Sequence, residues 1–225
     1  MPTPTPVQNF TNTVYGVDSN TGTPGAAFGL GNTVWVAAMS AAASVTGFTV
    51  AATGLTFNAA GSFVTTGGFC MQCFVAYDVP ATAPTVTVTA VGGGSDSTGF
   101  GTQLVGTEIS GLLSSSTPFV QQANGVDVFA GATATLVPTA GNIVITASLD
   151  SFGGLSKPTV SSGSVVAGIP CGYNSDGRGG DYTLPTGVSI TFTEQGADGY
   201  NIIIAVELKA ATKTLFDAVG FGAEV

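Results

Sequence analysis

Hydrophobic and polar residues alternate with a period of two along much of the chain. Thr85-Val-Thr-Val-Thr-Ala places its valines on one side and its threonines on the other, and Ser189-Ile-Thr-Phe-Thr does the same with Ile190 and Phe192. This is the pattern of antiparallel strands with one wet face. Ile202-Ile-Ile-Ala-Val206 is apolar at every position, which predicts a central strand buried on both faces. The pattern predicts strands near Thr33–Met39, Ser44–Val50, Leu55–Asn58, Phe69–Asp78, Thr85–Val91, Gln103–Ile109, Val126–Phe129, Thr133–Val137, Ile143–Leu149, Val165–Ile169, Val188–Thr193 and Tyr200–Leu208. Pro84-Thr85, Pro138-Thr139 and Pro185-Thr186 each precede a strand, where a residue without a ladder donor is tolerated. Their spacings, 54 and 47 residues, are too unequal to predict an internal repeat.

About twelve short strands with no helical stretch between them predict an all-β, antiparallel β-sandwich. Residues 1–31 read as an extended N-terminal arm. Met1 to Pro6 alternates Pro and Thr, Phe10 to Val17 suits a strand, and Asp18 to Gly31 reads as a loop. Residues 32–211 form the sandwich domain and 212–225 a C-terminal tail.

Composition strengthens this picture. Threonine numbers 32 and glycine 33, while charged residues make up only 8%. Lysine and glutamate, which fill helix surfaces, are scarce. The chain has no histidine, so the usual imidazole base and the commonest metal ligand are missing. Only four residues are basic, the first of them Lys157, against a net charge of −9. Such a chain has no means of neutralising phosphates, which excludes nucleic-acid binding. No window resembles a membrane-spanning helix, and Met1 is followed by Pro-Thr-Pro rather than by a basic and then apolar leader. The expectation is a protein without a membrane partner, made in a cytoplasm.

Three stretches resemble a class of jelly-roll-like β-sandwich domains found in phage virion proteins and in bacterial surface or secreted proteins. The first is Phe69-Cys-Met-Gln-Cys-Phe-Val-Ala-Tyr-Asp-Val, followed by Thr85-Val-Thr-Val-Thr. The second is Thr107-Glu-Ile-Ser-Gly-Leu-Leu113, where the class often has Asp in place of Leu113. The third is Ser189-Ile-Thr-Phe-Thr-Glu together with Tyr200-Asn-Ile-Ile-Ile-Ala-Val-Glu-Leu-Lys-Ala-Ala211. With Thr33-Val-Trp-Val-Ala-Ala-Met as the opening strand, the resemblance covers residues 32–211. It implies a jelly-roll-like sandwich and carries over no catalytic residue.

Few residues suggest chemistry. Cys70 and Cys73 form C-x-x-C, but on a strand positions i and i+3 point to opposite faces, so the pair suits a core better than a metal. A bridge from Cys171 to one of them is the alternative. Asn174-Ser-Asp-Gly-Arg-Gly-Gly-Asp181 offers Asp176 and Asp181 as a weak calcium-loop candidate; otherwise it is a plain loop in which Arg178 pairs locally with an Asp and lies open to trypsin. Tyr173 and Tyr182 flank that loop and are candidates for glycan stacking, whereas Trp35 sits in an apolar strand and belongs to the core. Leu215, Phe216, Val219 and Phe221 make the tail apolar beyond the last strand, suiting either a neighbouring subunit or its own domain. No two carboxylates converge in the sequence, so no enzyme is expected and no cofactor. The expected function is a non-enzymatic structural protein of a phage virion. It would be a capsid decoration or cement protein, or another head or tail surface component, assembled in the host cytoplasm onto the virion surface. Its partners would be other virion proteins and further copies of itself. The alternative is a carbohydrate-binding or adhesin module directed at a host-surface glycan.

Overall fold

The computed structural model describes residues 3–12, 17–93, 101–151, 154–171, 177–195 and 199–211. All regular structure among them is β, with 17 strands and no helix. The first half of the chain holds β1 (Thr5–Asn12), β2 (Ser19–Gly22), β3 (Thr33–Ser40), β4 (Gly47–Ala51), β5 (Asn58–Ala59), β6 (Val64–Thr66), β7 (Phe69–Ala76), β8 (Val86–Val91) and β9 (Thr102–Ser110). The second half holds β10 (Phe119–Val128), β11 (Thr133–Leu136), β12 (Ile143–Asp150), β13 (Thr159–Val160), β14 (Ile169–Cys171), β15 (Gly177–Thr183), β16 (Ile190–Thr193) and β17 (Tyr200–Leu208).

Every pairing between these strands is antiparallel. The first half forms a six-stranded sheet ordered β1-β9-β3-β7-β5, with β6 also on β7, and a three-stranded sheet β2-β8-β4. The second half forms β10-β17-β12-β15-β14 and β11-β16-β13. The two halves have one wiring. In each, the first strand pairs with the last, the last with the third, and the third with the long strand that follows the short ones. The second strand reaches the fourth through the penultimate. The chain is therefore an internal duplication, which the Pro-Thr spacings had argued against. Pro84 and Pro185 stand before the equivalent strands β8 and β16, but Pro138 stands before β12 and has no counterpart among them. The real period is about half the chain.

The apolar clusters show how the sheets stack. Strand β3 sends Trp35, Ala37 and Met39 into a cluster shared with Ile143, Ile145 and Leu149 of β12 and Ile202, Ile204 and Val206 of β17. It sends Val34, Val36 and Ala38 the other way, onto Phe48, Val86 and Val88 of the small sheet. In the second half Val144, Ile203 and Ala205 face Ala134, Leu136, Ile190 and Phe192. The two large sheets thus pack face to face, and each is covered outside by its own small sheet. Burial on both faces explains why β3, β12 and most of β17 lack alternation, as at Ile202–Val206. The covering strand β8 alternates because its outer face is wet.

Four expectations need correction. The count of about twelve strands was low, because pairs as short as β5 and β13 carry little pattern. Residues 1–31 supply β1, paired with β9, and β2, paired with β8, rather than a loose arm and loop. The glycine-rich segment read as a loop contains β15, which pairs with β12 and β14. The glycines in and beside it are there for space: a Cβ on Gly179 would press on Val105 at 3.1 Å, and one on the neighbouring Gly168 would come within 2.1 Å of the Gly179 carbonyl oxygen. No strand covers Val165–Ile169; Val166 makes a single bridge to Tyr182 and β14 starts at Ile169.

Candidate functional site

The duplication is repeated in side-chain chemistry at one pole of the molecule. Glu108, on β9, and Glu207, on β17, are both fully buried. Glu108 accepts hydrogen bonds from Gln8 Nε2 at 2.7 Å, from the Gly29 backbone N–H at 2.6 Å and from Asn32 Nδ2 at 2.6 Å. Glu207 accepts from Gln121 Nε2 at 2.5 Å, from the Thr139 N–H at 2.7 Å and from Asn142 Nδ2 at 2.6 Å. Each glutamine lies directly across from its glutamate, one residue past an irregularity in the first strand. Each asparagine immediately precedes the third strand. Among the described residues neither carboxylate has a cationic partner; three donors, two of them side-chain amides held by the fold, replace its water. These clamps tie the first strand, the last strand and the connection entering the third. They are scaffold chemistry, since both oxygens of each carboxylate are taken by the chain's own N–H groups.

The opposite pole differs between the halves. There β12 ends at Asp150, directly across from Asn201 of β17, so both side chains lie on the face turned toward the small sheet. Glu194 follows Phe192 of β16 by two residues and so points back into the same gap. Asp150, Glu194 and Asn201 are 2%, 2% and 0% exposed. Both Glu194 carboxylate oxygens and Asn201 Oδ1 are buried without a hydrogen-bond partner among the described residues. Burial, and then the neighbouring Asp150 charge, push the Glu194 carboxyl up to about 9. Asn201 Nδ2 donates to the carbonyls of Ala130 and Gly199, both at 3.0 Å, which fixes Oδ1 as the atom left over. The Glu194 N–H donates to Ala132 O just as the Ala90 N–H donates to Asp18 O, so Ala90 is the counterpart of Glu194. Likewise Ser40 and Thr102 pair across β3 and β9 where Asp150 and Asn201 pair across β12 and β17. The first half fills this position with Ser40, Ala90 and Thr102.

The residues that the sequence singled out are placed differently. Asp181 is buried, and its carboxylate is taken by Arg178, with Nε to Oδ2 at 2.7 Å and Nη2 to Oδ1 at 2.8 Å, and by the Gly168 N–H at 2.8 Å. It is therefore not available as a calcium ligand, although the local pairing with Arg178 was correctly anticipated. Arg178 itself is 8% exposed and lies within a strand, not in an open loop. Asp176 and Tyr173 lie outside the described residues, as do Leu215, Phe216, Val219 and Phe221. Tyr182 packs against the central core and borders a shallow cleft of about 280 Å³ with Val166, Thr183 and Leu184. Trp35 is wholly inside that core. Cys70 and Cys73 do face opposite ways, one in each cluster. Burial pushes the Cys70 thiol up to about 12 and raises Cys73 as well. Cys171 is a buried thiol near Gln103 and bridges neither.

Sequence reasoning missed both clamps and the acidic pair. The available signal was Gly31-Asn-Thr-Val against Gly141-Asn-Ile-Val, each followed in the last strand of its half by a lone glutamate in an apolar run. Among the described residues no group of three or more acidic, histidine or cysteine side chains gathers to hold a metal. Compared with protein-family models, with curated proteins and with solved structures, the chain finds no match.

Proposed function

We propose that this chain is a non-enzymatic structural protein of a phage virion, a decoration or cement protein or another surface component of head or tail. Its fold in this reading is a tandem pair of jelly-roll-like sandwiches. The strand order of each half supports that assignment: first, last, third and third-from-last in the large sheet, and second, penultimate and fourth in the small one. The observation that carries the functional reading is how the polar chemistry is spent. Glu108, Glu207, Asp181 and Arg178 are all consumed in holding strands together. The large sheets meet through one continuous apolar cluster, which makes the two halves a single stiff body. Four basic residues and few ion pairs leave a Ser/Thr/Gly surface whose stability depends little on salt.

The start of β1 and the chain at Ala211 lie at the clamp pole, where Leu112 bridges Ala210. In this reading the segment 212–225, with Leu215, Phe216, Val219 and Phe221, anchors the protein on its neighbours, and the connections at the other pole face outward. The test is to purify particles and look for this chain by mass spectrometry and by imaging. Deleting residues 212–225 is expected to leave a folded protein that no longer joins particles. Absence from particles, or full incorporation of the truncated chain, overturns the reading. A glycan module instead predicts glycan-array binding lost on changing Tyr182, the half-buried aromatic beside the shallow cleft.

A further inference from the structure

Each large sheet has two edges, and an edge offers a row of backbone groups with which another strand can pair. Three of the four edges are blunted. β1 contains Pro6 and follows Pro4, neither of which has an N–H to donate. The edge beyond β7 is split between β5 and β6, of two and three residues. β14 has three residues with Pro170 in the middle. β10, by contrast, runs for ten residues without a proline or a lysine, and among the described strands it pairs with β17 alone. Its outward groups can be placed. The Phe129 N–H donates to Gly199 O at 2.8 Å, toward β17, and the Val128 N–H turns back onto Asp127 Oδ1 at 2.6 Å. Alternation along an antiparallel strand then aims the N–H and C=O of Gln122, Asn124 and Val126 away from β17. Asn124, Val126 and Val128 are exposed.

We propose that the β10 edge takes up residues 213–219 of a second copy of this chain as an added antiparallel strand, so that copies link head to tail. The segment fits the edge. Leu215, Asp217, Val219 and Phe221 share one face of an extended strand. With Asp217 across from Asn124, Leu215 lies across from the exposed Val126, and Phe221 continues toward the exposed Val120. Lys213 then lies across from Val128, one residue from Asp127, the single charge on β10. A chain cannot make this pairing with itself. The Lys209 N–H donates to Pro118 O at 2.7 Å, so the tail leaves beside the start of β10. The far end, at Val128, is about 30 Å away along the strand. Lys213 is four residues beyond Lys209, a reach of at most about 14 Å. The inference rests on the tail as an anchor, taken from the proposed function, and not on the virion.

The test is the oligomeric state of the purified full chain, which is expected to self-associate. Asn124→Pro removes an outward N–H while leaving the β17 ladder whole, and Val126→Lys puts a charge on the edge. Each is expected to stay folded and to weaken association by about tenfold or more, as is deletion of residues 212–225. Chains carrying Asn124→Cys, mixed with chains carrying Asp217→Cys and oxidised, are expected to join one to the other. A full chain that stays monomeric overturns the proposal, as does association that neither edge variant weakens. Undiminished association of the truncated chain would assign the edge to β10 of the second copy, and overturns the tail as its occupant. A link that forms only within a chain carrying both cysteines would put the tail on its own β10, and overturns the proposal too. Particle purification answers separately: a chain that links in this way but is absent from particles refutes the virion reading alone.

Discussion

The two halves of this chain share one wiring and diverge in what they place at the two poles. At the clamp pole the pattern Gln, backbone N–H, Asn and Glu is the same, down to hydrogen bonds of 2.5–2.7 Å. At the opposite pole the first half closes with Ser40, Ala90 and Thr102, the second with Asp150, Glu194 and Asn201. Where residues do a job the fold cannot do without, both copies keep the same chemistry. Where they do not, the copies differ. The core shows a third mode. Phe10 lies across from Gly106 in the first half, and at the same register Ala123 lies across from Ala205 in the second. One large and one absent side chain are exchanged for two small ones.

The largest expected effect comes from the shared clamp. Glu108→Ala or Glu207→Ala removes the buried acceptor on which three N–H donors converge, and each is expected to cost about 2–4 kcal/mol. Because both large sheets own one apolar cluster, either variant should unfold in a single transition in denaturant. A two-step curve, with the unaltered half surviving, would break the view of one cooperative body.

Next in size is the acidic pole. The folded chain keeps the Glu194 proton up to about pH 9, while the unfolded chain releases it near the ordinary carboxylate value of 4.5. Folded protein thus binds more protons across that window, and stability falls as pH rises through it. Glu194→Gln removes this slope and is expected to gain on the order of a few kcal/mol at mildly alkaline pH. Denaturation across the pH range checks it; equal slopes in both proteins contradict the assignment.

Gly106→Ala sharpens the core comparison. Its Cβ would lie 2.0 Å from the Phe10 ring, an overlap expected to cost about 1–3 kcal/mol. Adding Phe10→Ala recreates the Ala123–Ala205 pair and should recover much of the loss. A double variant no better than Gly106→Ala would show that the two copies pack by different rules.

The smallest effects concern reactivity alone. Native protein is expected to resist trypsin at Arg178, which is 8% exposed within β15 and held by Asp181, and to be cut there once unfolded. Lys157 precedes Pro158, which adds no easy site before it. Cys70, with its thiol pushed up to about 12, should likewise ignore thiol reagents until the chain unfolds. Ready native cleavage at Arg178 would mean that the second half opens locally where the first does not.

The sequence by itself determined the all-β class, because alternation and β-branched content reflect forces along a single strand. It determined the two-faced burial of Ile202–Val206, and the opposite facing of Cys70 and Cys73, which follow from a period of two. It determined that Trp35 belongs to the core. Only the tertiary structure decided the rest. β15 is a strand because β12 and β14 flank it, although its glycines have no strand preference of their own. β2 is one because β8 offers it a ladder. The duplication is a property of pairing order, and residues that share a position in the fold share almost no sequence. Each clamp joins residues at least 65 apart, Asn142 to Glu207 and Asn32 to Glu108, so no local pattern announces it. Asp150, Glu194 and Asn201 look like three ordinary polar residues at strand ends until the packing of two sheets removes their water.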